Sequence, residues 1–250
     1  MADAPFKGKA ALVTGGAHRI GKAIALRLGA LGANVAVHYN TSGRQAKAVC
    51  RKLESGGVQA VALQADLADP QACRDLVASA RKEFGAIDLL VNNASTFPAV
   101  RLPDLEWDDL VATLKVDAWA PLELLRATHK QLRKVGGATV NLLDARIADH
   151  DLGHAGYYLA KRMLADLTRM AAIEFAPRMR VNAVAPGPIL PPPGGSDADL
   201  ARWAKHLPLL RTPTPEEVAD AVVYLLAARG VTGDVINVDG GRHLGRAVYG

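Results

Sequence analysis

Short runs rich in Val, Leu, Ile and Ala alternate along the chain with longer stretches whose apolar residues recur at helical spacing. The first pattern fits strands buried on both faces, and the second fits amphipathic helices. Read this way, the chain predicts strands at Lys9–Thr14, Asn34–Tyr39, Val58–Gln64, Ile87–Asn92, Ala138–Leu143, Arg180–Ala185 and Asp234–Val238. Between them it predicts helices at Arg19–Ala30, Arg44–Ser55, Gln71–Phe84, Leu105–Lys134, His154–Ala176 and Pro215–Ala228. Such alternation implies an α/β fold: one doubly wound, Rossmann-like domain with a seven-stranded parallel sheet and helices on both faces. Its ligand crevice is expected at the carboxyl ends of the strands. The segment Pro186 to Asp199 breaks the rhythm with five prolines and three glycines. It predicts a loop, part of a flexible substrate flap over about residues 187–206.

Length and composition narrow this further. With 250 residues, half of them apolar, and no Pro/Gly/Ser-rich linker, the chain predicts a single domain over residues 1–250. No apolar run approaches the roughly 20 residues of a membrane span, and the start of the chain lacks a signal-type segment, so a soluble, cytoplasmic protein is expected. The net charge of +5 is dispersed, with basic clusters near helix ends and no aromatic-basic patch. This argues against nucleic acid and for an anionic small-molecule partner. Cys50 and Cys73 stand alone in helical segments as free thiols. His150 and His154 are four apart but are expected to face solvent beside the cleft, so no metal site is expected.

The candidate chemistry lies between Asp144 and Lys161. Tyr157 stands four residues before Lys161, one helical turn, so the two share a face. An ammonium near a phenol favours the phenolate, lowers a pKa that starts near about 10 and makes the tyrosine a usable proton donor. Asp144, at the end of an apolar run, adds a carboxylate. After the first strand, Thr14-Gly15-Gly16-Ala17-His18-Arg19-Ile20-Gly21 runs directly into a helix. Glycines there admit a pyrophosphate, and the helix N-terminus favours its charge. The second strand ends in His38-Tyr39-Asn40-Thr41-Ser42-Gly43-Arg44, without the acid that would hold the ribose hydroxyl of NAD. Its histidine and hydroxyls, with Arg19 and Arg44, suit a 2'-phosphate and favour NADPH.

Thr14-Gly15 through Gly21, Asp66-Leu67, Asn92-Asn93-Ala94, Tyr157-x-x-x-Lys161 and Pro186-Gly187 occur in that order. Across nearly the whole chain they resemble the short-chain dehydrogenase/reductase superfamily. The resemblance implies that Asp66 and Leu67 contact the adenine, Asn93 and Ala94 line the cofactor, and Tyr157 is the acid. It likewise implies that Lys161 binds the nicotinamide ribose, that Pro186 and Gly187 flank the nicotinamide, and that the protein is a homotetramer. Arg19 in place of the middle glycine, Ser95 after Asn93-Ala94, Asp144 in place of the usual serine, and Phe97 are similar to the pteridine reductase branch. That likeness implies that Phe97 sandwiches a pterin against the nicotinamide, Arg19 and Ser95 contact pterin or cofactor phosphates, and Asp144 and Tyr157 handle protons. The cofactor-binding set is then Gly15, His18, Arg19, Ile20, His38, Asn40, Ser42, Asp66, Leu67, Asn93, Ala94, Ser95, Tyr157, Lys161, Pro186 and Gly187. The substrate set is Arg19, Ser95, Phe97, Asp144 and Tyr157.

An ionised carboxylate at 144 accepts hydrogen bonds only and repels a developing alkoxide, whereas a pterin presents N–H donors to it. The expectation is therefore NADPH-dependent reduction of a dihydropteridine such as dihydromonapterin, dihydrobiopterin or dihydrofolate. Asp144 as a mere cap or ion pair for Arg146 stays open, as does a carbonyl or 3-oxoacyl-thioester reductase on this scaffold. So does a non-catalytic NADPH-sensing protein. Asp117 stands where the superfamily commonly has an asparagine supporting the lysine, and the sequence offers no account of it.

Overall fold

The computed structural model describes residues 4–132, 135–148, 150–191 and 195–245. Seven parallel strands form one sheet: β1 (Ala10–Val13), β2 (Asn34–Tyr39), β3 (Ala60–Gln64), β4 (Leu89–Asn92), β5 (Gly137–Leu142), β6 (Met179–Pro186) and β7 (Val235–Val238). The helices are α1 (Arg19–Ala30), α2 (Gly43–Ser55), α3 (Pro70–Phe84), α4 (Trp107–Leu114), α5 (Ala120–Gln131), α6 (Ala155–Glu174), α7 (Asp197–Ala204) and α8 (Pro215–Ala227). The spatial order is β3-β2-β1-β4-β5-β6-β7. The chain thus winds outward from β1, returns to β4 and winds the other way, which opens a crevice between the ends of β1 and β4.

The apolar runs have a direct physical cause. In β1, Ala11 and Val13 enter one core cluster while Ala10 and Leu12 enter the other; β4 divides the same way, with Leu89 and Val91 opposite Leu90. Successive side chains of a strand point to opposite faces, so a strand covered on both sides must be apolar throughout. Helices α1, α2 and α8 cover one face, and α3, α5 and α6 the other. Among the described residues no helix is long and apolar enough to cross a membrane.

Two expectations need correction. The long helix expected over Leu105–Lys134 is a succession of elements: a 3-10 turn at Leu102–Asp104, α4, a π-helical turn at Lys115–Trp119, and α5. Pro121 in the first turn of α5 lacks the N–H that would continue an α ladder backwards, and the wider turn accommodates it. Residues 133 and 134 of that expected helix lie outside the described residues. The expected flap also contains α7, where Ser196 and Asp199 form a reciprocal capping box.

Candidate active site

The crevice is pinned by hydrogen bonds that the motif residues make with one another. Thr14 Oγ1 accepts the N–H of Asn93 at 2.9 Å and of Ala94 at 3.0 Å, and donates to Val91 O at 3.3 Å. The Asn93 amide nitrogen donates back to Thr14 O at 2.8 Å and Gly15 O at 3.3 Å. These bonds lock the ends of β1 and β4 together, with Gly15 at φ +61°, in the left-handed region that glycine enters freely. Helix α1 then starts at Arg19 with no side chain capping it. The amides of its first turn lack intrahelical partners and, with the positive end of the helix dipole, can hold a phosphate.

Close backbone approach is built in as well. A Cβ at Gly21 would lie 2.5 Å from the Asn93 amide nitrogen and closer still to the Gly15 carbonyl oxygen; one at Gly187 would lie 2.7 Å from Asp239 Cα. Gly21→Ala is therefore expected to force the turn open. Thermal melting should show a loss of about 1–3 kcal/mol, as for other overpacked sites, and titration with NADPH should show weakened binding. Unaltered melting and binding would contradict the close packing described here.

Arg19 adopts φ +48°, a conformation costing a residue with a Cβ about 1–2 kcal/mol. From there its guanidinium donates to Pro191 O at 3.1 Å. Arg19 thus ties the Gly-rich turn to the segment after β6, 172 residues away.

The expected role of His38 changes. Its Nδ1 accepts the Gly15 N–H at 3.1 Å, which leaves Nε2 to donate to Ala65 O at 3.2 Å. Both nitrogens serve the backbone, and burial holds the ring below the usual imidazole pKa, so it stays neutral. His38 lines the cleft as a brace for the turn and not as a phosphate ligand. Asn40 lines the cleft too, whereas Ser42, Asp66 and Leu67 lie outside its wall. Asp66 accepts the Ala68 N–H at 3.0 Å. The Leu67 side chain is packed in the core, which leaves only its backbone for an adenine.

Asp144, Tyr157 and Lys161 meet on the floor of a cleft of about 540 Å³, within the usual range for small-molecule sites. The Tyr157 hydroxyl donates to Asp144 Oδ2 at 2.9 Å, and Asp144 Oδ1 accepts the Arg146 N–H at 2.8 Å. The carboxylate therefore does both things weighed from sequence: it caps the following turn and faces the phenol. Lys161 Nζ lies 5.5 Å from the Tyr157 ring centre, donates to Leu142 O at 3.0 Å and lies 3.3 Å from Asp117 Oδ1.

The expected lowering of the Tyr157 pKa is reversed. Burial first, then the charge and hydrogen bond of Asp144 and the charge of Asp117, hold the phenol well above its usual value, with Arg146 opposing. The ammonium fails to prevail because two carboxylates and desolvation act against it. In the ligand-free protein Tyr157 is a protonated donor across the neutral range.

Phe97, 47 % exposed, forms a wall beside this floor. Its ring stacks on His154 at 3.7 Å between centroids and meets Tyr157 edge-on at 4.7 Å. His154 thus belongs to the cleft margin and does not face bulk solvent as expected; burial and then the Arg146 charge keep its pKa below the usual imidazole value. Arg146 pairs with Asp151 and has its guanidinium 5.9 Å from the Phe97 ring centre. Ser95 lines the cleft, but its hydroxyl is bonded to Asp117 and to Thr96 O. Pro186 and Gly187 also line it. Leu190 and Trp203 line it from the expected substrate flap, whereas sequence reasoning missed Arg146 and Arg242 as lining residues. Neither of these two lies in a motif, and only the fold brings the turn after β7 to this opening. Among the described residues, no group of three or more His, Cys, Asp or Glu could hold a metal ion.

The geometry can be set beside known proteins. A family model described as enoyl-(acyl carrier protein) reductase matches residues 15–243. The 3-oxoacyl-[acyl-carrier-protein] reductase FabG of Staphylococcus aureus is 35% identical over 244 residues, covering 94% of this chain and 98% of that protein. Among solved structures, FolM Alternative dihydrofolate reductase 1 from Brucella canis, complexed with NADP, superposes with a TM-score of 0.93 at 36% identity, covering 98% of each chain. A short chain dehydrogenase from Burkholderia cenocepacia, also in complex with NADP, gives a TM-score of 0.88 at 37% identity, covering 95% of this chain and 98% of that one. With its Gly-rich, Asn93-Ala94, Tyr157-x-x-x-Lys161 and Pro186-Gly187 motifs brought together at one switch-point crevice and its relatives matched over nearly the whole chain, the chain belongs to the short-chain dehydrogenase/reductase superfamily, in the family of that enoyl-(acyl carrier protein) reductase model.

Proposed function

We propose that the protein is an NADPH-dependent reductase that converts a dihydropteridine of the dihydromonapterin, dihydrobiopterin or dihydrofolate type to its tetrahydro form. One observation carries this reading: Asp144 presents a carboxylate to the cleft 2.9 Å from the Tyr157 hydroxyl, beside the exposed ring of Phe97. The FolM neighbour supports it. The amides of His18, Arg19 and Ile20 would hold the phosphates over the turn at Gly15, whose own N–H is held by His38; Asn40, Ser42 and Arg44 would face the 2'-phosphate, and Asp66 and Leu67 would flank the adenine. Asn93, Ala94, Pro186 and Gly187 would border the nicotinamide. Bound NADPH supplies a hydride for a ring carbon of the substrate.

The rest falls to side chains. Phe97 offers an apolar plate for a planar heterocycle, worth about 0.5–1.5 kcal/mol beyond burial for an aromatic pair. Asp144 accepts the N–H donors that a pterin presents and an aliphatic ketone lacks. Tyr157 delivers its proton to the ring nitrogen, directly or through water shared with Asp144, so that C=N becomes CH–NH. Lys161 holds the ribose and keeps a positive charge near the phenol.

Purified protein with NADPH and a panel of dihydropterins is expected to consume the cofactor, and methotrexate, which mimics the pterin ring, to compete. No turnover on any of the panel would remove the proposal. The second reading, a 3-oxoacyl-thioester reductase, is favoured by the FabG relative and is tested by the same assay with a 3-oxoacyl thioester. Trp107, Trp119, Leu159 and Met163, exposed on α4, the π turn and α6, suit pairing through these helices into a cytoplasmic homotetramer. Light scattering would measure that assembly.

A further inference from the structure

Residue 38 takes the first two glycine amides of the Gly-rich turn. The His38 carbonyl accepts the Gly16 N–H at 3.0 Å, and the ring Nδ1 accepts the Gly15 N–H at 3.1 Å. On the far side of the ring, Nε2 lies 3.2 Å from Ala65 O, just past the end of β3 and one residue before Asp66 and Leu67. A backbone N–H only donates and a carbonyl only accepts, so the ring is the neutral tautomer with its proton on Nε2. His38 is buried, at 2 % exposure, and a bond lost on either side is not replaced by bulk water. One ring thereby spans the phosphate turn and the segment proposed to flank the adenine.

We propose that His38 is a positioning residue for the cofactor: by holding the Gly15 N–H on an unprotonated Nδ1 it sets the turn so that the N-terminus of α1 faces the pyrophosphate, and it makes cofactor affinity depend on one proton. With the two glycine amides turned inward, the donors left for an anion are those of the first turn of α1. Protonation would put a second N–H on the ring, directed at the Gly15 N–H, so that the bond is lost and two donors face each other. Burial opposes that step and holds the ring below the usual imidazole value, with the Ala65 carbonyl partly offsetting it. A base lowered in this way binds cofactor at full strength above the ordinary value of about 6.5 and loses affinity as pH falls through the lowered one. The titratable and charged residues on the segments packed against the ring are His18 and Arg19 on the turn, Tyr39 on β2 and Asp66 beyond Ala65. None of their charges enters its titration, and a positive charge gained at His18 would strengthen anion binding, the opposite sign. The inference needs only NADPH binding and stands apart from the dihydropteridine reading.

Two variants divide the ring's bonds between them. His38→Asn places an acceptor oxygen where Nδ1 lies and gives up the donor to Ala65, whereas His38→Gln reaches Ala65 with its NH2 group and gives up the acceptor for Gly15. Full-length protein is titrated with NADP+ by calorimetry across the histidine range, from about pH 5 to 8, with thermal melting in parallel. Near neutrality His38→Asn is expected to bind within about threefold of the parent, and His38→Gln about tenfold or more weakly, even where the two melt alike. A merely structural role would instead move both affinities with stability. Below about pH 6.5 the parent is expected to lose affinity faster than His38→Asn, by up to about tenfold per pH unit. The 2'-phosphate, titrating near about 6, weakens both alike. Equal pH profiles for the parent and His38→Asn, or parent-like affinity in folded His38→Gln, would overturn the proposal. If neither variant folds, the parent with NAD+, which carries no 2'-phosphate, decides: affinity falling in acid supports the role, and affinity level over the same range removes it. A dihydropterin panel without turnover leaves each of these outcomes as it was.

Discussion

Replacing Tyr157 by phenylalanine is expected to lower turnover of NADPH with a dihydropterin by about two to four powers of ten, the usual contribution of a positioned general acid. Binding of NADPH should be nearly unchanged, because the phosphate cradle at Gly15 and α1 does not involve the phenol. The structure explains why the hydroxyl matters in its protonated form. It is buried and already donates to Asp144 at 2.9 Å, and burial with the neighbouring carboxylates holds its pKa well above the ordinary tyrosine value. A raised phenol pKa keeps the proton in place below that value, so no loss of activity from Tyr157 ionisation is expected across the neutral range. Steady-state rates with a parallel NADPH titration would check this. Retention of most of the rate would assign the proton to another group.

Asp144→Ser should exchange one chemistry for another. Dihydropterin reduction is expected to fall by about a hundredfold, the lower end of acid-base effects, while activity on a 3-oxoacyl thioester or simple ketone rises. The argument is electrostatic. Two unit negative charges about 4 Å apart repel by roughly 1–4 kcal/mol at effective dielectrics of about 80 to 20, nearly three powers of ten in rate at the upper end. The carboxylate therefore opposes a ketone oxygen becoming an alkoxide, which a serine hydroxyl would stabilise by donation. Serine can still accept the Arg146 N–H that Asp144 now holds at 2.8 Å, so the turn should survive the substitution. The measurement is kcat/KM on both substrate classes. Pterin reduction equal to the parent would end the role given to the carboxylate.

Much of this site was legible from spacing because its motifs are local. Gly15 to Gly21 forms one turn between a strand and a helix, and Tyr157 and Lys161 are one helical turn apart, so backbone geometry alone sets their relation. His154 was misjudged because stacking on Phe97 needs two segments far apart in sequence. The pKa direction of Tyr157 was misjudged for a similar reason. The four-residue spacing to Lys161 is visible in the chain, but the degree of burial and how closely Asp144 and Asp117 approach the phenol are not. The broken helix between Leu102 and Gln131 has an apolar pattern that a continuous helix would share, and hydrophobic periodicity cannot register one inserted residue.

What the chain determined by itself was the alternation of doubly covered strands and amphipathic helices, hence the parallel sheet, its crevice and the superfamily. These follow from period and turn chemistry, both short-range. Tertiary structure alone decided other polar pairings: Asp117 against Lys161 and Thr96, and Arg19 against the Pro191 carbonyl. Those pairings depend on distances between residues separated by up to 172 positions, and electrostatic energies vary with separation and burial, quantities that exist only once the sheet has brought its strand ends together.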